Sequence, residues 1–159
     1  MFSFLNRQQR INEVVSSRLF DEINFYQAFI ADLKRAQDEI IIESPFITPY
    51  RMEKLFPVFA LLVKKGVKIH IITRDPAEHD EMYCYQSTDE ILKCAEIGIH
   101  VVMLKGNHHR KLAVIDRKIL WEGSLNILSH VRSREIMRRI VGARSVKEMT
   151  DFLSLDKVV

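Results

Sequence analysis

The chemistry in this sequence concentrates between Asn107 and Asn126, in the stretch NHHRKLAVIDRKILWEGSLN. His109 stands two residues before Lys111, and Asp116, the pair Gly123–Ser124 and Asn126 follow. In a strand, alternate residues face the same side. The His109 imidazole and the Lys111 ammonium therefore project together, while apolar Leu112 to Ile115 anchors the strand in a core. A second strand returning alongside delivers Ser124 and Asn126, again two apart, near the same end. An imidazole, an ammonium, a hydroxyl and a carboxamide at one point suit a phosphodiester. The imidazole can attack phosphorus covalently, the ammonium neutralises a phosphate oxygen as a point charge, and the hydroxyl and amide fix its orientation. His108 and Arg110 flank the imidazole and are candidate substrate contacts. Adjacent His108 and His109 face opposite sides of a strand, and no cluster has metal-ligand spacing. The expected chemistry uses no metal and no other cofactor.

The elements around this stretch must hold it in place. Residues 1–36 read as a helical segment packed on the domain, because Leu19, Phe20, Ile23, Tyr26, Phe29, Ile30 and Leu33 recur at three- and four-residue spacings. Glu39–Glu43 (EIIIE) is a buried strand, followed by a loop marked by Ser44, Pro45 and Pro49. Met52–Lys65 is a helix stopped by Gly66, and Pro57 kinks it or marks its first turn. Val67–Thr73 is a strand, Thr73–Tyr85 a polar loop near the site, Ser87–Ile97 a helix and Ile99–Leu104 a strand. Lys111–Ile115 and Lys118–Trp121 are strands around an Asp-Arg turn. Glu135–Val141 is a further strand and Val146–Leu153 a closing helix. This order predicts an α/β fold with a mixed, largely parallel sheet sandwiched by helices, formed by residues 37–159. A site at the carboxyl ends of parallel strands follows from that layout.

Composition narrows the function classes. The chain has 159 residues, 47% hydrophobic and 28% charged, enough for one domain with a full core. Five Gly, four Pro and two Cys exclude low-complexity and disulfide-scaffold classes. Free thiols at Cys84 and Cys94 fit a reducing cytosol. The longest apolar run, Leu55 to Val63, is far short of a membrane span, so a cytoplasmic protein with no membrane association is expected. The net charge is only +3, but it is unevenly spread. From Val101 to Arg144 there are ten Lys/Arg and three acids, a local charge of +7 against −4 for the remainder. A polyanion such as nucleic acid suits that distribution.

His109-x-Lys111, Asp116, Gly123-Ser124 and Asn126, with these spacings, resemble the HKD motif of the phospholipase D superfamily. The detailed match covers Asn107 to Glu135. The resemblance implies a phospholipase D-like fold. It implies His109 as a nucleophile forming a phosphohistidine, Lys111, Ser124 and Asn126 as phosphate ligands, and Asp116 as a supporting residue near the site. Glu135 is implied as the acid that orients His109 and fixes its tautomer. Larger members carry two such motifs, one His attacking and one acting as general acid, whereas no second His-x-Lys occurs here. Single-motif members, chiefly small nucleases, pair two chains. The resemblance thus implies a homodimer with both His109 side chains in one shared cleft. The leading expectation is an endonuclease acting on DNA or RNA. A nucleic-acid-binding accessory module without turnover, and a phospholipase or phosphatidyltransferase, are the alternatives.

Overall fold

The run Ile40-Ile41-Ile42 is apolar on both faces because the strand that carries it is covered on both sides. The computed structural model describes residues 16–159. In chain order it contains β1 (Ser16–Asp21), α1 (Phe25–Leu33), β2 (Glu39–Glu43), α2 (Pro49–Lys64), β3 (Lys68–Arg74), α3 (Glu81–Glu96), β4 (His100–Leu104), β5 (Leu112–Ile115), β6 (Ile119–Gly123), β7 (Ile136–Val141) and α4 (Ala143–Leu153). Short 3₁₀ turns occupy Pro76–Glu78 and Leu155–Lys157. The seven strands form one sheet in the order β1-β7-β6-β5-β2-β3-β4. Helices sandwich it as expected. Ile40, Ile42, Ile69, Ile71 and Trp121 pack with α1, α2 and α3 on one face, while Ile41, Ile72, Val114 and Leu120 pack with α4 and the final 3₁₀ turn on the other.

The sheet is mixed, with parallel pairing in the minority. Only β2–β3 and β3–β4 are parallel, because only these are joined by helical crossovers. The pairs β2–β5, β5–β6, β6–β7 and β1–β7 are antiparallel. Short connections dictate this for β5–β6, where Asp116 and Arg117 take positive φ (50° and 53°) in a three-residue connection, 116–118.

The expected helix over residues 1–36 is corrected in part. Residues 1–15 lie outside the described residues, and Ser16–Asp21 is a strand at the sheet edge, paired from Ser16↔Val141 to Asp21↔Ile136. Phe20 is its one buried residue. The strand is stopped by Asp21, whose Oδ1 accepts the N–H groups of Ile23 and Asn24 at 3.0 Å each. Downstream, α1 places Phe25 and Phe29 edge-on to Trp121, at centroid distances of 5.2 and 6.0 Å. The Trp121 indole N–H donates to buried Asp32 Oδ2 at 2.9 Å. Trp121 is thus a core residue.

Helix α2 starts at Pro49 and runs through Pro57, burying Met52, Leu55, Phe59 and Leu62 at helical spacing. Pro57 neither begins nor ends it. The expected loop Thr73–Tyr85 is shorter than predicted. Asp80 caps α3 by accepting the Tyr83 N–H at 3.0 Å, so the helix begins at Glu81. Cys84 and Cys94 are free thiols.

Candidate active site

Residues 105–111 connect β4 to β5 and carry His109 to the carboxyl end of β2 and β3. The connection reverses at Gly106 and Asn107, both with positive φ (89° and 59°). Their exposed N–H groups are gripped by one carboxylate. Glu78 Oε1 accepts from Gly106 at 2.7 Å and Oε2 from Asn107 at 3.2 Å. Arg74 at the end of β3 holds Glu78 in turn, Nε to Oε2 at 3.0 Å. These bonds, the backbone pair to Gly106 foremost, hold the Glu78 carboxyl below its ordinary range. Glu78 was not singled out from the sequence. Its segment was read only as a polar loop.

From His108 onward the side chains alternate. His108 and Arg110 turn to one side, where Glu43 ends β2 with no exposed surface. The Arg110 guanidinium forks onto it, Nε to Oε2 at 2.6 Å and Nη2 to Oε1 at 3.0 Å. His108 Nε2 lies 3.6 Å from the same carboxylate, its side chain 7% exposed. Burial pushes the Glu43 carboxyl up, and the Arg110 bonds counter it in part. Burial also lowers His108, helped by the Arg110 charge. Arg110 pairs with a buried carboxylate that the sequence reading placed in a strand without a role, yet it stays 41% exposed and lines the same cleft as His109 and Lys111. His108 is buried beside that carboxylate, and its Nε2 makes no hydrogen bond.

His109 and Lys111 turn to the other side. Lys111 Nζ lies 2.7 Å from His109 Nδ1 and donates to the His109 carbonyl at 2.5 Å. Burial lowers the His109 imidazole below its ordinary value, and the charges of Lys111 and Arg74 act in the same direction. A neutral ring is what a nucleophile requires. Burial lowers Lys111 as well, opposed by the Glu135 charge.

Strand β6 brings Ser124 to the same cleft, which His109, Lys111, Gly123, Ser124 and Arg138 line together. Gly123 is needed for close approach, because a Cβ there would collide with the Ile136 carbonyl oxygen of β7. Ser124 accepts the Ile136 N–H at 3.1 Å and donates a short hydrogen bond to Glu135 Oε2. Ser133 donates to Glu135 Oε1 at 2.7 Å. Burial works to raise the Glu135 carboxyl, but the two hydroxyls and the nearby positive charges outweigh it and hold it low. Glu135 thus fixes two serines, and its hydrogen bonds include none to His109 of the same chain. The orienting role expected for it is not made within one chain. None of the neighbouring arginines pairs with it either. Arg138 bonds Ser17 and Arg139 forks onto Asp32.

Asp116 is not brought to the site. It sits at the opposite end of β5, where its carboxylate accepts the N–H groups of Gln37, Asp38 and Glu39 at 2.9–3.0 Å. It fixes the entry to β2, and the expectation of a place beside the catalytic groups is corrected. Asn126 follows β6 and receives the Ser129 and His130 N–H groups on its carbonyl. Its side-chain Oδ1 is buried without a partner in the protein.

The family model described as "Cardiolipin synthase, PLD-like domain" matches residues 29–155. The chain belongs to this phospholipase D-like family. In sequence it is similar to cardiolipin synthase A of Buchnera aphidicola subsp. Schizaphis graminum (strain Sg), 25% identical over 124 residues and 77% of this chain. The chain spans only 25% of that protein's length. In structure it is similar to Nuc of Salmonella typhimurium, a phospholipase D family member. The TM-score is 0.71 at 14% identity, over 87% of this chain and 91% of that one. It is also similar to NucT of Helicobacter pylori, with a TM-score of 0.67 at 18% identity, over 87% and 92% of the two chains. These likenesses show the fold. No helix among the described residues is long and apolar enough to cross a membrane.

Proposed function

We propose that this protein is a metal-independent phosphodiesterase that cuts nucleic acid through a phosphohistidine, with two copies of the chain sharing one cleft. The observation that carries the reading is the His109 ring, held below its ordinary pKa, with the Lys111 ammonium against its edge, in one cleft with Ser124. A phosphate entering between them takes over the ammonium and frees the ring. An imidazole nitrogen of His109 then attacks phosphorus. The P–N bond forms, the P–O bond to the leaving strand breaks, and the His109 of the second copy, which enters the step as the imidazolium, gives its proton to the departing oxygen. Water next attacks the phosphohistidine and yields a proton to that second His109. The P–N bond breaks and both rings return to their starting state. Ser124, aimed by Glu135, orients the phosphate. The basic stretch from Val101 to Arg144 favours a polyanionic substrate, and likeness along nearly all of Nuc and NucT supports one such domain per chain.

Phosphatidyl transfer is the second reading, favoured by the family description and the cardiolipin synthase match. One experiment separates the two. Labelled single-stranded DNA, duplex DNA, RNA and phosphatidylglycerol vesicles are incubated with the protein in excess chelator. Cleavage of a nucleic acid, lost in His109→Ala, is expected. Turnover confined to the lipid overturns the nuclease reading. A mixture of His109→Ala and unsubstituted chains that keeps full specific activity per intact chain overturns the shared cleft.

A further inference from the structure

Beside the cleft, a second cavity of about 590 Å³ opens between the loop after β2, the start of α3 and the segment after Asn126. That volume is in the range of small-molecule sites. Five side-chain polar atoms among the described residues are buried without a hydrogen-bond partner, and three belong to residues that line this one cavity: Thr48 Oγ1, Asn126 Oδ1 and His130 Nδ1. Thr48 and His130 are 9% and 8% exposed. Orphaned polar atoms are costly in a protein interior, and their convergence on one cavity points to a ligand that satisfies them. Thr48 holds the cap position of α2, yet its hydroxyl makes no cap bond. His130 Nε2 faces the Ser133 carbonyl at 3.2 Å, and in the tautomer that donates this bond Nδ1 is an acceptor. Asn126 Oδ1 is an acceptor as well. The complementary ligand edge bears N–H groups.

The rest of the lining suits a flat ring. Phe46, Tyr50 and Tyr83 stand around the cavity, the tyrosines about half exposed. Phe46 lies 6.2 Å from Tyr83 between ring centroids and is backed by His79 at 4.8 Å. Two contacts tie the cavity to the catalytic groups. Phe46 stands edge-on to His109 at 6.3 Å, and Ser133, also in the lining, donates to Glu135. A chain whose phosphate lies at His109 can therefore place an adjoining group here.

We propose that this cavity is a base subsite. It takes an unpaired nucleobase next to the phosphate bound at His109, stacked on the Tyr50, Tyr83 and Phe46 rings, its N–H edge satisfied by Asn126, His130 and Thr48. The inference rests on the nucleic-acid reading and narrows it to single strands, since a paired base has its N–H edge occupied. The test is fluorescence anisotropy on full-length His109→Ala protein, which binds without turnover. The probes are a fluorescein-labelled oligocytidine and an all-abasic strand of equal length. Stacking and edge contacts give the oligocytidine an expected advantage of about tenfold or more. Tyr50→Ala and Tyr83→Ala, both at half-exposed positions, reduce that advantage to about threefold or less and leave the abasic strand's affinity unchanged. Thr48→Val, nearly isosteric, lowers oligocytidine affinity by about threefold to fivefold with the abasic strand again unmoved. Equal binding of the two strands overturns the proposal, as does an equal loss for both strands in the tyrosine variants with unchanged melting. Failure of the nuclease reading shows separately, as absence of cleavage by unsubstituted protein. If cleavage persists while the two strands bind alike, the subsite alone has failed.

Discussion

Glu43 is fully buried, and its carboxylate is matched by one guanidinium fork from Arg110, with His108 at the edge of reach. Arg110→Met removes the fork, keeps the aliphatic stem and leaves a carboxylate in a dry site. Removing one partner of a buried pair costs roughly 3–5 kcal/mol. Arg110 is itself 41% exposed and His108 remains close, so the lower end, about 3 kcal/mol, applies. For a chain of this length that is a fall in Tm of roughly 6–12 °C. The double variant Glu43→Gln/Arg110→Met removes the charge as well and returns to within about 1 kcal/mol of the unsubstituted protein. The pH dependence has a defined sign. Burial already raises the Glu43 carboxyl in the folded protein, and losing Arg110 raises it further. The folded state then holds a proton that the unfolded chain has released. The penalty is least below the ordinary carboxylate pKa and grows as pH rises toward the raised folded value. Urea unfolding at acid and alkaline pH, followed through Trp121, reads this directly, since Trp121 is the only tryptophan and has no exposed surface. A single variant melting within about 2 °C of the parent, a double variant no better than the single, or a larger loss at acid pH refutes the reasoning.

The imidazole of His109 titrates below the ordinary value of about 6.5, and Lys111→Met moves its midpoint upward by removing the nearest positive charge, as histidine NMR across pH will show. A smaller upward movement is expected in Arg74→Met. Gly123→Ala forces β6 and β7 apart at the Ile136 carbonyl and costs about 1–3 kcal/mol, read by thermal melting, with Ser124 displaced and phosphate affinity reduced. Trp121→Phe keeps a ring in the core but deletes the 2.9 Å bond to Asp32, lowering stability by about 1–2 kcal/mol in urea titration by circular dichroism. No change in that titration means Arg139 alone satisfies Asp32.

The grouping of His109, Lys111 and Ser124 was legible because these residues adjoin the two strands of a local hairpin, where period-two alternation turns spacing into direction. Asp116 shows the limit of that logic. Its spacing from Lys111 spans the whole of β5, so the strand that follows His109 and Lys111 carries Asp116 to the far end. Glu43 was illegible because EIIIE reads as a buried strand, and the residue that makes its terminal carboxylate tolerable lies 67 positions away at Arg110. Glu78 escaped for the same reason, since its partners Gly106 and Asn107 belong to another loop. Strand β1 was misread because Leu19, Phe20 and Ile23 happen to fit helical spacing. Only Phe20 of its six residues is buried, and what fixes the strand is pairing with β7, more than a hundred residues downstream. Stop signals fared better. Gly66 after α2 acts through its own neighbours and was read, whereas Asp80, which caps α3, was not, and the helix start was placed too late, at Ser87.

The alternation from His108 to Lys111 has a consequence for how this loop can vary. His109 and Lys111 meet on one side while His108 and Arg110 approach Glu43 on the other, and both ends of the segment are pinned, at Gly106–Asn107 by Glu78 and at Leu112 by the β5 ladder. Gaining or losing one residue between those pins exchanges the two sides, sending the His109 imidazole toward the buried carboxylate and taking the Arg110 guanidinium off it. A single replacement here disturbs one set of contacts, whereas a one-residue change in length displaces all four side chains at once.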